Sequence, residues 1–115
     1  MTGTFADTAK FADIIVLATR GSVTINAIEL ADKNNFDEKV VLDTTNSIKD
    51  APPVNGVLQF FTTPNSSLLK DIQSSIPGTQ VVKAFNKIGN PVMCKPSFNE
   101  GKLTMFICGN DAAAK

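Results

Sequence analysis

An α/β fold built on a mainly parallel sheet is predicted by three runs of the same design. Ile14-Ile15-Val16-Leu17-Ala18, Val40-Val41-Leu42-Asp43 and Val81-Val82-Lys83-Ala84 are strand-length stretches, apolar nearly throughout instead of alternating. Such continuity suits strands with helices over both faces of the sheet. Each run ends in polar residues: Thr19-Arg20-Gly21, Thr44-Thr45-Asn46, and Phe85-Asn86-Lys87 shortly before Gly89. Parallel α/β sheets gather the carboxyl ends of their strands on one edge, and ligands bind there. Function is therefore to be sought on that edge.

The elements follow in chain order. Ala6 to Ala12 reads as a short helical or turn segment leading into a strand over Asp13 to Ala18. Gly21-Ser22 opens a helix of about a dozen residues, with Ser22 as N-cap and Val23, Ala27, Leu30 and Ala31 at helical spacing. Asn34-Asn35 and Asp37-Glu38-Lys39 turn the chain into the second strand, Val40 to Asp43. Thr44 to Pro64 is irregular, punctuated by Pro52-Pro53 and Asn55-Gly56; Val57 to Phe61 reads as a short strand or an anchored loop. Asn65 or Ser66 caps the next helix, whose face is Leu68, Leu69, Ile72 and Ile76 and whose stop is Pro77-Gly78. A third strand spans Gln80 to Ala84, a helical turn lies near Pro91 to Cys94, and a fourth strand spans Thr104 to Cys108. Asp111 with the alanines after it has the signature of a helix start. Short crossovers of this order make neighbouring strands parallel.

Length and composition narrow the classes. A chain of 115 residues fits one domain, and 43% hydrophobic with 19% charged residues is ordinary for a soluble globular protein. Lys plus Arg and Asp plus Glu are both 11, so no net charge draws in nucleic acid or an anionic membrane. No apolar run approaches the roughly 20 residues that span a bilayer. Met1 to Asp7 lacks the basic start and apolar core of a signal peptide, so the expected location is the cytoplasm. Two cysteines without any histidine match no zinc spacing and form no Cys-His or Ser-His nucleophile system. Cys108, within Met105-Phe106-Ile107-Cys108, reads as a small buried hydrophobe, and the compartment argues against a disulfide. No metal site is expected, and without histidine the usual near-neutral proton shuttle is absent.

The strand ends carry the chemistry, and each has a plainer reading. The backbone of Ala18-Thr19-Arg20-Gly21 suits an anionic or ribose-bearing ligand, with Arg20 contacting phosphate; Arg20 is equally a solvated loop arginine. Asp43-Thr44-Thr45-Asn46 offers partners for a carboxamide or ribose, although Asp43 is better read as tying off its own loop. In Ala84-Phe85-Asn86, Phe85 gives a flat face and Asn86 a donor and an acceptor, or the pair is core and turn. Lys83 reads as an edge or solvent-facing lysine. The chain contains neither GxGxxG nor GxxxxGK[ST].

Taken together, these segments resemble the NADP-dependent oxidoreductases that include the deazaflavin-dependent NADP reductases. The resemblance rests on Ala12 to Thr19, Lys39 to Asn46, Pro77 to Gly89 and Met105 to Lys115, in order and at similar spacing, and covers nearly the whole chain. It implies a Rossmann-type three-layer sandwich that binds NADP(H) and passes hydride to a deazaflavin, a flavin or another small acceptor. Ala18, Thr19, Arg20 and Gly21 would then lie along the ribose and pyrophosphate. Asn46, Ala84, Phe85 and Asn86 would lie near the nicotinamide and the acceptor. Hydride transfer needs the two rings held face to face and no acid or base.

The chain also departs from the family pattern. The opening strand, glycine-rich turn and helix, and the strand that selects the adenine-ribose phosphate, have no counterpart, and the closing strand and helices are missing. Residues 1–115 are thus expected to form a single, partial dinucleotide-binding domain without its first βαβ unit and its C-terminal end. Weak NADP binding follows, because the glycine turn supplies the main pyrophosphate contacts. The Ile14 to Ala18 strand would keep an unpaired apolar edge, a site for homo-oligomerisation. The alternative is a non-catalytic nucleotide-binding or regulatory module that associates through that edge. A receiver-type signalling domain fits worse, since Asp43 has no acidic pair.

Overall fold

Residues 2–99, 101 and 104–114 are described by the structure, a computed structural model. Strands β1 (Ile14–Leu17), β2 (Val40–Asp43) and β3 (Gln80–Lys83) form a parallel sheet in the order β1-β2-β3. The register sets Ile15, Val41 and Val81 in one row and Leu17, Asp43 and Lys83 in another, at the carboxyl end. These are the three apolar runs: β2 keeps the bounds read for it, and β1 and β3 are shorter by two residues and one where the chain turns away. The α/β class with a parallel sheet is the one the sequence predicts.

Helices α1 (Phe5–Phe11), α2 (Thr24–Leu30) and α3 (Leu68–Ser75) all pack into one core. Ala9, Ile28, Ala31, Phe36, Leu68, Ile72 and Ile76 meet Leu17, Val41 and Val81 there. By strand alternation Ile14 and Val16 point to the opposite face, where they stay 59% and 55% exposed. Helices over both faces were expected; among the described residues they cover one, giving two of the three layers. β1 is an outer strand whose one partner among these residues is β2.

Local chemistry explains where each element starts. Thr4 opens α1 with a capping box: its hydroxyl accepts from the Asp7 N–H, and the Asp7 carboxylate accepts from the Thr4 N–H. Lys39 closes the same helix by donating to the carbonyls of Ala9 (2.7 Å) and Lys10 (3.3 Å). The long helix expected after Gly21 is instead a 3-10 turn, Gly21–Val23, followed by the seven residues of α2. The tighter turn rotates the inward stripe to Thr24, Ile28 and Ala31, leaving Val23 and Leu30 exposed. Ser22 makes no capping bond. Ser66 is not the cap of α3 either: its hydroxyl accepts from the Thr63 N–H at 2.8 Å, and Ser67 precedes the helix without a side-chain bond.

Val57 to Phe61 forms no strand. Val54 and Val57 exchange both backbone bonds around Asn55 and Gly56, whose φ values of +50° and +77° are those of a tight two-residue hairpin turn. The fourth strand expected over Thr104 to Cys108 reduces to one antiparallel bridge between Cys108 and Lys83. Met105, Phe106 and Ile107 remain exposed, so their side chains give the ladder nothing to propagate on. Cys108 is likewise exposed, not buried, and it and Cys94 are free thiols. Asp111 accepts from the Ala113 and Ala114 N–H groups, a capping arrangement with no helix behind it among the described residues.

Candidate functional site

The row Leu17, Asp43, Lys83 brings three polar turns side by side. Two clefts open between them. The first, about 430 Å³, lies between the β1 and β2 turns and is lined by Ala18, Thr19, Arg20, Gly21, Thr45 and Asn46, with Asp50 at its mouth. The second, about 330 Å³, lies between the β2 turn, the start of α3 and the β3 turn; Thr45 and Asn46 line it too, with Lys83 and Asn86. Thr45-Asn46 is thus a ridge shared by both.

The ridge is held from both sides. Gly21 is buried against it so closely that a Cβ there would stand 2.0 Å from the Asn46 carbonyl oxygen. Only glycine permits that approach. The β1 turn is braced from behind by buried Thr24, whose hydroxyl donates to the Arg20 carbonyl (3.0 Å) and lies 2.9 Å from the Thr19 hydroxyl. From the other side Asp43, 0% exposed, accepts from the Thr45 N–H (2.9 Å), the Thr45 hydroxyl (2.6 Å) and the Lys83 ammonium (2.7 Å). Lys83 also donates to the Thr45 carbonyl. Asp43 therefore ties off its loop as its position suggests, whereas Lys83 is not a solvent-facing residue but half of a buried ion pair.

Arg20 reaches across the first cleft to Asp50 at 3.1 Å, with both side chains about three-quarters exposed. A pair so solvated is worth at most about 1 kcal/mol and yields readily to a competing anion.

The expected site residues are placed unequally. Ala18, Thr19, Arg20 and Gly21 line the first cleft, Asn46 both, and Asn86 the second. Ala84 is buried and lines neither; its N–H donates to the Asp43 carbonyl and its carbonyl accepts from the Asn86 N–H. Phe85 also lines neither cleft. Its φ of +62° is costly for a bulky residue and makes the sharp bend that swings Asn86 back to the edge. Lys83, Ser67 and Asp50 are site residues that the sequence reading does not anticipate, whereas Thr45 belongs to the expected Asp43-Thr44-Thr45-Asn46 turn. The first had a signal: Asp43 and Lys83 each close an apolar run, and in-register parallel strands set such residues side by side.

Among the described residues no three His, Cys, Asp or Glu side chains gather as metal ligands, and no helix is long and apolar enough to cross a membrane.

These features define a Rossmann-like α/β unit with a polar cleft at the carboxyl edge of its sheet. The same fold, at a TM-score of 0.86 and 32% identity over 96% of this chain, occurs in the crystal structure of a protein from Arthrobacter sp. FB24 provisionally named an F420-dependent NADP-reductase. A hypothetical protein from Sinorhizobium meliloti shares the fold at a TM-score of 0.73 and 22% identity over 95% of this chain. The chain spans about half the length of both, 49% and 50%. No protein-family model and no curated protein matches the sequence. The resemblance to the NADP reductases holds in three dimensions.

Proposed function

We propose that this chain is a single, partial dinucleotide-binding domain of an NADP(H)-dependent oxidoreductase. The reaction is hydride transfer between nicotinamide and a small acceptor of the deazaflavin or flavin type. The observation that carries the reading is the shared ridge: Thr45-Asn46 separates two adjoining clefts, enough room for two ligands to meet across Asn46. Thr19, Arg20 and the backbone of Ala18 and Gly21 hold the ribose and phosphates in the first cleft. Asn46 and Asn86 orient the carboxamide of the nicotinamide through donor and acceptor together. No side chain moves a proton; the chain contributes position and exclusion of water. Ala84 and Phe85 act through the backbone that aims Asn86.

Without a GxGxxG turn in its sequence, the 115-residue chain binds NADPH weakly and is inactive alone. Two exposed free thiols suit a reducing, cytoplasmic setting. The open edge of β1, with Ile14 and Val16 bare, favours association of chains. The test is an NADPH titration of the ¹⁵N-labelled chain. Amide shifts at Thr19, Gly21, Asn46 and Asn86 with a dissociation constant near or above 1 mM are expected. Low-micromolar affinity would overturn the weak-binding claim, and shifts confined elsewhere would remove the site.

A further inference from the structure

The second cleft carries a chemistry of its own. Among the described residues, Lys83 is its single charged lining residue and no carboxylate lines it. The Lys83 side chain is only 14% exposed, and two of its three ammonium hydrogens go to Asp43 and the Thr45 carbonyl. The third has no acceptor among the described residues. Nor, among these residues, do the hydroxyl of Ser67 or the carboxamides of Asn46 and Asn86 have a partner, and all three line the same cleft. Asp43, sealed beneath with three donors on its oxygens, does not face the opening. Four groups with unspent donors, one of them the ammonium paired with Asp43, thus converge on about 330 Å³ with no carboxylate lining the cleft among the described residues.

We infer that the second cleft is an oxyanion site, taking a carboxylate or phosphate group on the Lys83 ammonium with Ser67, Asn46 and Asn86 as neutral donors. The inference rests on the reductase reading in one respect only: sharing Asn46 with the nicotinamide region, the cleft assigns the acceptor an anionic group. The binding itself is independent of NADP(H).

The full ¹⁵N-labelled chain is titrated with sodium phosphate and, separately, sodium succinate, with sodium chloride holding ionic strength constant. Saturable shifts at Ser67, Leu68 and Asn86 are expected with at least one of the two, and which of them binds tells phosphate from carboxylate. Lys83→Met weakens binding roughly tenfold or more, the loss of a charge-assisted contact. Because that variant also strips Asp43 of its partner, Ser67→Asp is the decisive one. It leaves the ion pair intact and places a good capping residue before α3, so the urea midpoint holds or rises. Its carboxylate nevertheless fills the cleft with negative charge, and oxyanion binding falls at least as far as in Lys83→Met. Unsaturable shifts with both anions, or a Ser67→Asp variant that binds as the parent does, overturn the inference. Oxyanion binding without any NADPH response would leave it standing while the dinucleotide reading fails; the reverse pattern would sink it alone.

Discussion

Gly21→Ala puts the central packing contact to a direct test. The added Cβ would sit 2.0 Å from the Asn46 carbonyl oxygen, 2.9 Å from its carbon and 3.0 Å from Leu68 Cδ2. The shortest of these must open to at least the 3.4 Å of ordinary van der Waals contact. Asn46 cannot withdraw easily, because Thr45 beside it is pinned by Asp43 and Lys83. Relief therefore falls on the β1 turn, at the expense of the Thr24 bonds to Arg20 and Thr19. Overpacking of a rigid site costs about 1–3 kcal/mol, and a strained or broken hydrogen bond about 1 kcal/mol more. The expected loss is therefore about 2–4 kcal/mol, a drop in Tm of roughly 10 °C or more for a domain of this size. Gly89→Ala is the control: its Cβ would meet only Pro91 Cδ, at 3.8 Å, and its φ of −67° suits alanine. Urea and thermal unfolding of both variants, followed by circular dichroism, supply the readout. Should Gly21→Ala stay within about 0.5 kcal/mol of the parent, as surface changes do, the two turns are not in contact and the ridge has no support from β1.

Three further outcomes follow from the same geometry. Asp43→Asn or Lys83→Met leaves one partner of a buried pair alone, and each should destabilise by about 3–5 kcal/mol in urea unfolding; an exposed pair would cost less than about 1 kcal/mol. The Thr4 hydroxyl, followed by the Thr4 N–H, holds the Asp7 carboxyl below its ordinary value of 3.8, so its support of α1 is present above pH 3.8 and is lost as pH falls through the lower, folded value. Protection of the α1 amides, taken relative to the intrinsic exchange rate at each pH, should thus fall on acidification in the parent and show no such step in Asp7→Asn. Val16→Lys places a charge on the bare face beside the open edge, and sedimentation should show reduced self-association with unchanged circular dichroism; equal association in both proteins would locate the contact elsewhere.

Local signals placed the elements well. Continuous apolar runs located β1, β2 and β3, the spacing of Leu68, Ile72 and Ile76 located the buried face of α3, and Asn55-Gly56 marked a tight turn. Errors arose where a residue's state depends on a remote neighbour. Cys108 sits in an apolar run yet is exposed, since nothing among the described residues covers that stretch. Val23 and Leu30 have helical spacing yet point outward, because a 3-10 first turn rotates the stripe.

The residues alone decided the fold class and the order of its parts, since hydrophobic period and turn chemistry are written within a few positions along the chain. They also marked which turns would be polar. Folding decided which of those polar groups face an opening. Residues 43 and 83, forty positions apart, became one buried ion pair through strand register. Gly21 became the seat of a carbonyl far along the chain. Proximity between distant segments is set by packing, and no local pattern encodes it.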